Sequence, residues 1–173
     1  MNKALYSTGN TDWETPQDLF DIINKIFKFD IDVCATAANT KCRKYYTEEQ
    51  DGLKQKWEGN VWCNPPYGRD IGEWVSKACH SHCNKTTVVM LLPARTDTKW
   101  FHERVFMDAD VIFLKGRLKF GGGKGSAPFP SMIAIWGYKK HKEVLKLEYE
   151  LTGERTVKRF MPIMPSRSSW TRL

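Results

Sequence analysis

The tetrapeptide Asn64-Pro65-Pro66-Tyr67 holds the residues whose types and spacing could do chemistry. Asn64 can offer a side-chain oxygen as a hydrogen-bond acceptor, and the Pro65 carbonyl can offer a second acceptor beside it. Two such acceptors suit the two N–H groups of a planar amino group, such as the exocyclic amine of adenine or cytosine. The lone pair of that nitrogen is conjugated with the ring and poorly nucleophilic, and two acceptors would draw it toward tetrahedral geometry. An RNA base or a glutamine amide fits the same pattern. Consecutive prolines stiffen the loop, so the acceptors need little ordering when substrate arrives. Tyr67 can stack on a base, a contact worth ~1–3 kcal/mol. The same four residues are also compatible with a strand that simply ends in a proline turn carrying a surface tyrosine.

The elements around the tetrapeptide place it. Asn60-Val61-Trp62-Cys63 is a predicted strand, and Pro65 must stop it because proline cannot donate to a ladder. Ligands in open α/β sheets bind at that end of a strand. Phe29 to Val33 alternates as a short strand. Thr87 to Leu92 and Val111 to Leu114 are apolar runs of strand length, predicted to be buried on both faces, and Ser131 to Trp136 is a further strand. Helices are predicted from Pro16, with Thr15 as cap and Pro16 in the first helical position, from Ile71 to His82, from Asp97 to Met107, and from Lys140 to Glu150. Helices alternating with buried strands predict a single α/β domain with a mostly parallel, Rossmann-type sheet of the methyltransferase-like kind, expected to have seven strands. The expected division is a catalytic domain over residues 1–138, then a charged C-terminal extension over 139–173, helix then tail, within the same domain.

The bulk properties agree with a globular chain. Of 173 residues, 41% are hydrophobic and 13% aromatic, too many for a disordered protein. Lys+Arg number 27 against 20 Asp+Glu, and the net charge of +7 favours a polyanionic partner, with nucleic acid first. Five cysteines and no apolar leader in residues 1–10 predict reduced thiols in a cytoplasm, and no apolar run is long enough to span a membrane.

The motifs together resemble the phage-type Dam family of DNA adenine-N6 methyltransferases. The resemblance runs from Asp12 to about Trp136. It rests on Trp13-Glu14-Thr15-Pro16, Asp30-Ile31-Asp32-Val33-Cys34-Ala35, Asp51-Gly52-Leu53, Trp62 to Gly68, Leu92 to Asp97, and Ala127 to Met132. It implies S-adenosylmethionine as cofactor and N6 of a flipped-out adenine in double-stranded DNA as acceptor. It also implies action in the cytoplasm of a host cell and protection of phage DNA from restriction. Residue by residue, Trp13, Thr15 and Pro16 resemble the segment that closes over the cofactor. Asp32, Cys34 and Ala35 resemble the loop against its methionine part, and Asp51 the acidic residue that reads its adenine or ribose. Asn64, Pro65, Pro66 and Tyr67 resemble the catalytic loop, and Phe129 lies in a segment resembling the one that flanks the target base. The chain departs from many amino-group methyltransferases in one place: Asp32-Val33-Cys34-Ala35 stands where a Phe-x-Gly-x-Gly is common.

Weaker signals leave alternatives open. Lys115, Arg117, Lys119 and Lys124 surround a glycine-rich stretch and could meet phosphates, or could simply protect a strand edge. Arg69 and Arg95 are further candidates for DNA contact, and Arg95 could instead pair locally with Asp97. Cys79-His80-Ser81-His82-Cys83 has metal-ligand residue types but no second ligand pair, so no metal is expected. Within enzymes, the alternative acceptors are an RNA base, cytosine N4 or a protein glutamine. Outside them, the alternative is a catalytically silent DNA-binding module.

Overall fold

The structure is a computed structural model that describes residues 13–82, 85–122, 125–137 and 141–152. Its six strands are β1 (Ile31–Asp32), β2 (Lys44–Tyr45), β3 (Asn60–Cys63), β4 (Thr87–Pro93), β5 (Asp110–Phe113) and β6 (Ser131–Trp136). They form one sheet in the order β2-β1-β3-β4-β6-β5. The pairs β1·β2, β1·β3 and β3·β4 are parallel, while β6 runs antiparallel to both β4 and β5. Five strands therefore share one direction and β6 opposes them. The sheet is mostly parallel, as expected, and methyltransferase-like.

Among the described residues the expected seventh strand is absent. Residues 46–59 run between β2 and β3 as turns, closed by backbone bonds such as Asp51 N–H to the Thr47 carbonyl, and Tyr46 to Glu48, Asp51 and Gly52 contribute to a cavity wall. Nothing in the sequence announced β2, a two-residue strand. The strand expected over Phe29–Val33 shortens to Ile31–Asp32.

The four helices are α1 (Gln17–Phe27), α2 (Ile71–Ser81), α3 (Phe106–Asp108) and α4 (His141–Thr152). Thr15 does not cap α1. Pro16 occupies the cap position with no side-chain bond, and Thr15 is buried in a cavity wall. The helix expected over Asp97–Met107 contains a π turn, Phe101–Val105, before α3. The Trp136 indole N–H donates to the Arg104 carbonyl at 3.4 Å, inside that turn.

The hydrophobic pattern explains why the sheet is central. Along β4, Val88, Met90 and Leu92 pack on one face with α2 and the π turn, while Val89 and Leu91 pack on the other with α1 and α4. Met132, Ala134 and Trp136 of β6 divide from Ile133 and Ile135 in the same way. A strand covered on both sides must be apolar throughout, and every residue of β4 and β6 is buried. β5 differs from its predicted character. It is an edge strand with Ile112 buried and Phe113 exposed, so the expectation of burial on both faces is corrected. α4 packs on α1, with Val144 and Leu147 in the shared core.

The order of connections matters for function. From β1 the chain moves outward to β2 on one side, and from β3 it moves to β4 on the other. The crevice where this direction reverses lies between β1 and β3, the place where open parallel sheets bind ligands.

Candidate active site

A cavity of about 540 Å³ opens at that crevice. Asp32 ends β1 and Asn64 follows β3, and register places Asp32 opposite Trp62 in the neighbouring strand. Both side chains therefore line one space because two parallel strands end together. Of the residues expected to meet a cofactor, Trp13, Thr15, Asp32, Cys34, Ala35 and Asp51 all line this cavity. Pro16 lines a neighbouring one instead. Asn64, Pro65 and Pro66 line the larger cavity with them.

The Asn64 amide is oriented by the backbone. Its Nδ2 donates to the Trp13 carbonyl at 2.6 Å. A carbonyl can only accept, so the amide cannot turn over without setting two oxygens face to face. Oδ1 is left on the other side, shielded from solvent and without a hydrogen-bond partner among the described residues. A buried acceptor left unpaired costs about 1–3 kcal/mol. A site that tolerates such an atom is suited to a donor arriving from outside the chain.

Tyr67 does not line the cavity. Its hydroxyl donates to the Leu91 carbonyl at 3.1 Å, and its ring meets Phe120 and Phe129 edge-on at 6.1 and 5.5 Å. Trp13 meets the same two rings at 5.3 and 5.2 Å. Phe129 is thus brought to the loop of Asn64 to Tyr67, as part of an aromatic wall beside it. Burial holds the Tyr67 phenol well above its ordinary pKa, so it remains a neutral donor and cannot serve as a base near pH 7.

The carboxylates on the other side differ from each other. Asp32 accepts the Cys34 N–H at 3.3 Å and the Lys41 N–H at 3.1 Å. Burial raises its pKa to about 6, against the lowering effect of those bonds and of the Lys41 charge. Asp51 is held below its ordinary value, first by a side-chain bond from Lys54, with the N–H of Leu53 also contributing. Its backbone has φ 52°, an uncommon conformation for a residue with a side chain. Gly52 follows because a Cβ there would collide with the Val33 carbonyl oxygen and press on Trp74. Trp57 supports this loop by donating its indole N–H to the Gly52 carbonyl at 2.8 Å.

The basic candidates lie elsewhere. Lys115, Arg117 and Lys119 are exposed on a loop beyond β5 and not on a strand edge, which corrects their predicted setting. Arg69 is exposed two residues after Tyr67, and Arg95 is half-buried after β4. Arg95 and Asp97 form no ion pair with each other among the described residues, so the local pair considered for them is not made. Lys124, Cys83 and the tail over 167–173 lie outside the described residues. No group of three or more metal-ligand side chains occurs among the described residues. No described helix is long and apolar enough to cross a membrane.

A model of the DNA N-6-adenine-methyltransferase (Dam) family matches residues 4–147. The chain belongs to that family. The Dam family is thereby a methyl-transferring one, which implies a methyl donor. A curated DNA N-6-adenine-methyltransferase of Haemophilus phage HP1 is 35% identical over 118 residues, 66% of this chain and 68% of that protein. Another, from Escherichia phage T1, is 36% identical over 110 residues, 61% of this chain. The matched part spans only 45% of the phage T1 protein's length.

Several residues that line this cavity were not among the site residues read from the sequence. Lys41, Asn39, Trp74 and Gly52 all line the cavity. Lys41 sits in a polar loop with no periodicity, so only tertiary structure reveals it. Gly52 stood within a quoted motif, next to Asp51, and its close approach to Val33 is the physical reason for it.

Proposed function

We propose that this chain transfers a methyl group from S-adenosylmethionine to N6 of an adenine flipped out of double-stranded DNA. The observation that carries the reading is the Asn64 amide, fixed by Trp13 with its Oδ1 buried and unpaired at the cavity between β1 and β3. Reaching that oxygen requires local rearrangement of its neighbours, as entry of a flipped base into a snug pocket does. Asn64 Oδ1 then accepts one N–H of the amino group and the Pro65 carbonyl accepts the other. Tyr67, anchored at its hydroxyl by the Leu91 carbonyl, is the ring that stacks on the base once its neighbours rearrange. The surplus amino proton leaves to water after transfer, so no strong general base is required.

The cavity suits the cofactor. When bound, S-adenosylmethionine supplies an electrophilic methyl on a cationic sulfur. Asp32, Glu48, Asp51 and Asp70 give the cavity carboxylates that complement a cation, and Trp74 and Val33 give it apolar surface. Its volume of about 540 Å³ lies within the ~300–1,000 Å³ usual for such ligands. Ala35 and Cys34 border the cofactor where glycines stand in many relatives by chemistry, and Trp13 and Thr15 close its side. Arg69, Arg95, Arg117, Lys119 and Lys124 are the proposed phosphate and DNA contacts, with Phe129 beside the base. For a phage-encoded chain, the activity belongs in the cytoplasm of the host cell.

The test is transfer of a tritiated methyl group to duplex DNA, RNA and protein, followed by nucleoside analysis. Label in N6-methyladenine from DNA is expected. Label in N4-methylcytosine, in RNA or in glutamine would overturn the adenine reading. An absence of calorimetric heat with S-adenosylmethionine would favour a silent DNA-binding module.

A further inference from the structure

We propose that Lys41 is a positioning residue that sets the orientation of the Asn64 amide through the strap of residues 13–17. One carbonyl, that of Trp13, decides which atom of Asn64 faces away from the strap. What holds that carbonyl is therefore part of the machinery. The strap is tied at its Trp13 ring, by the aromatic contacts above, and at the Glu14 carbonyl, which accepts the Gly121 N–H at 3.0 Å. The third tie crosses from the opposite wall. Lys41 Nζ donates to Glu14 Oε1 at 3.0 Å and to Gln17 Oε1 at 3.2 Å.

This tie differs from an ordinary surface ion pair. The Lys41 side chain is only 8% exposed, against 42% for Glu14. Its own backbone N–H is fixed on Asp32. Lys41 thus joins the loop that follows β1 to the strap that orients the residue following β3. Glu14, Thr15 and Lys41 line both the larger cavity and the neighbouring one, so the pair forms part of the partition between them. A largely buried ammonium is retained at a cost unless its partners compensate it. Here the partners are the two oxygens of the strap. Lys41→Met keeps the stem and removes the charge, and Glu14, 42% exposed, keeps access to water.

The kinetic part of this inference rests on the methyl-transfer reading, and the spectroscopic part does not. In the free protein, the two Asn64 Nδ2 protons are assigned by their loss in Asn64→Asp. Wild type is expected to show one of them shifted and exchange-protected by the Trp13 carbonyl. Lys41→Met should move both toward free-amide values, and Lys41→Arg should keep the wild-type pattern. With saturating DNA and cofactor, kcat of Lys41→Met should fall about tenfold or more, a larger factor than any loss of cofactor affinity. Lys41→Arg should recover most of the loss. Glu14→Gln, which weakens the tie from its exposed end, should change the amide pattern in the same direction, and it decides the matter if Lys41→Met does not fold. Unchanged Asn64 resonances in the folded variant would mean that ring packing alone holds Trp13, and the proposal falls. A kcat loss matched by an equal loss of cofactor binding also overturns it. A wild type without transfer activity would overturn the methyl-transfer reading and leave the amide spectrum to decide on Lys41.

Discussion

Two loops leave adjacent parallel strands at the same crevice and are built in opposite ways. The loop after β3, Asn64 to Tyr67, gains stiffness from its own two prolines. The loop after β1 runs from Val33 to Lys41 and gains its shape from partners. Asp32 gathers the Cys34 and Lys41 N–H groups, the Ala35 N–H donates to the Tyr46 carbonyl, and Lys41 reaches Glu14. One loop has a backbone made rigid by composition, with Trp13 setting only its Asn64 side chain, and the other is rigid by closure. A reacting group is well served by the first, since its acceptors must already point correctly. A binding wall can be assembled by the second, because several moderate contacts can share the work.

The sharpest break of this contrast is Asn64→Ala. It removes the oriented acceptor while leaving both prolines and the wall after β1. Loss of one such preorganised group costs about 10²–10³ in kcat. Cofactor binding by calorimetry should stay within a few-fold. Turnover near the wild-type rate would show that the rigid loop does not carry the chemistry.

The contrast also explains what could be read from the sequence. Asn60–Cys63 and Ser131–Trp136 are found with their predicted limits, because apolar runs bounded by proline or glycine have few other uses in a chain. The tetrapeptide was legible because its rigidity is written in consecutive residues. The wall after β1 was legible only through resemblance to a family. Its bonds join residues far apart in the chain, such as Lys41 and Glu14, and no local pattern encodes them. β2 was invisible because a two-residue strand has no periodicity. The burial of β5 was overestimated because an apolar run does not disclose that its strand lies at an edge.

Asp32→Asn tests closure on the other side. Burial raises the Asp32 pKa to about 6 in the folded protein, from 3.8. A raised pKa means folding takes up a proton between those values. The contribution to stability is then full below pH 3.8 and is lost as pH rises through about 6. The full shift corresponds to about 3 kcal/mol. The difference in unfolding free energy, wild type minus Asp32→Asn, should therefore decline between those pH values, while other carboxylates cancel. Cofactor binding near pH 5.5 should release protons from wild type, because a neighbouring cation favours the ionised carboxylate, and should release fewer from the variant. A flat difference curve would show Asp32 to be better solvated than its burial indicates.

Gly52→Ala asks whether the wall has any slack. A Cβ at Gly52 would strike the Val33 carbonyl, and Trp74 lies close behind. Overpacking of this kind costs about 1–3 kcal/mol, here through displacement of a cavity wall. The expected result is weaker cofactor binding with a lowered Tm. The Asn64 environment should change much less, since its amide is held by the Trp13 carbonyl on another segment. Wild-type affinity would mean that the loop carrying Asp51 moves as a unit and that closure is looser than the contacts suggest.

Lys119→Ala carries the smallest expected effect, because the loop that bears it belongs to neither design. Lys119 is exposed beyond β5, yet it lines the neighbouring cavity with Glu14 and Gly121. Among the described residues it is the cation of the exposed basic loop that shares a cavity lining with the strap. Phosphate contacts act by releasing counterions, so removing one should weaken DNA binding by a few-fold and reduce the slope of log K against log salt by about 1. Because such a contact positions the duplex without reading bases, the loss should be equal for all sequences. kcat at saturating DNA should hardly change. An unchanged slope would remove Lys119 from the DNA footprint. A fall in kcat with an unchanged slope would instead assign it to the strap, through its place beside Glu14.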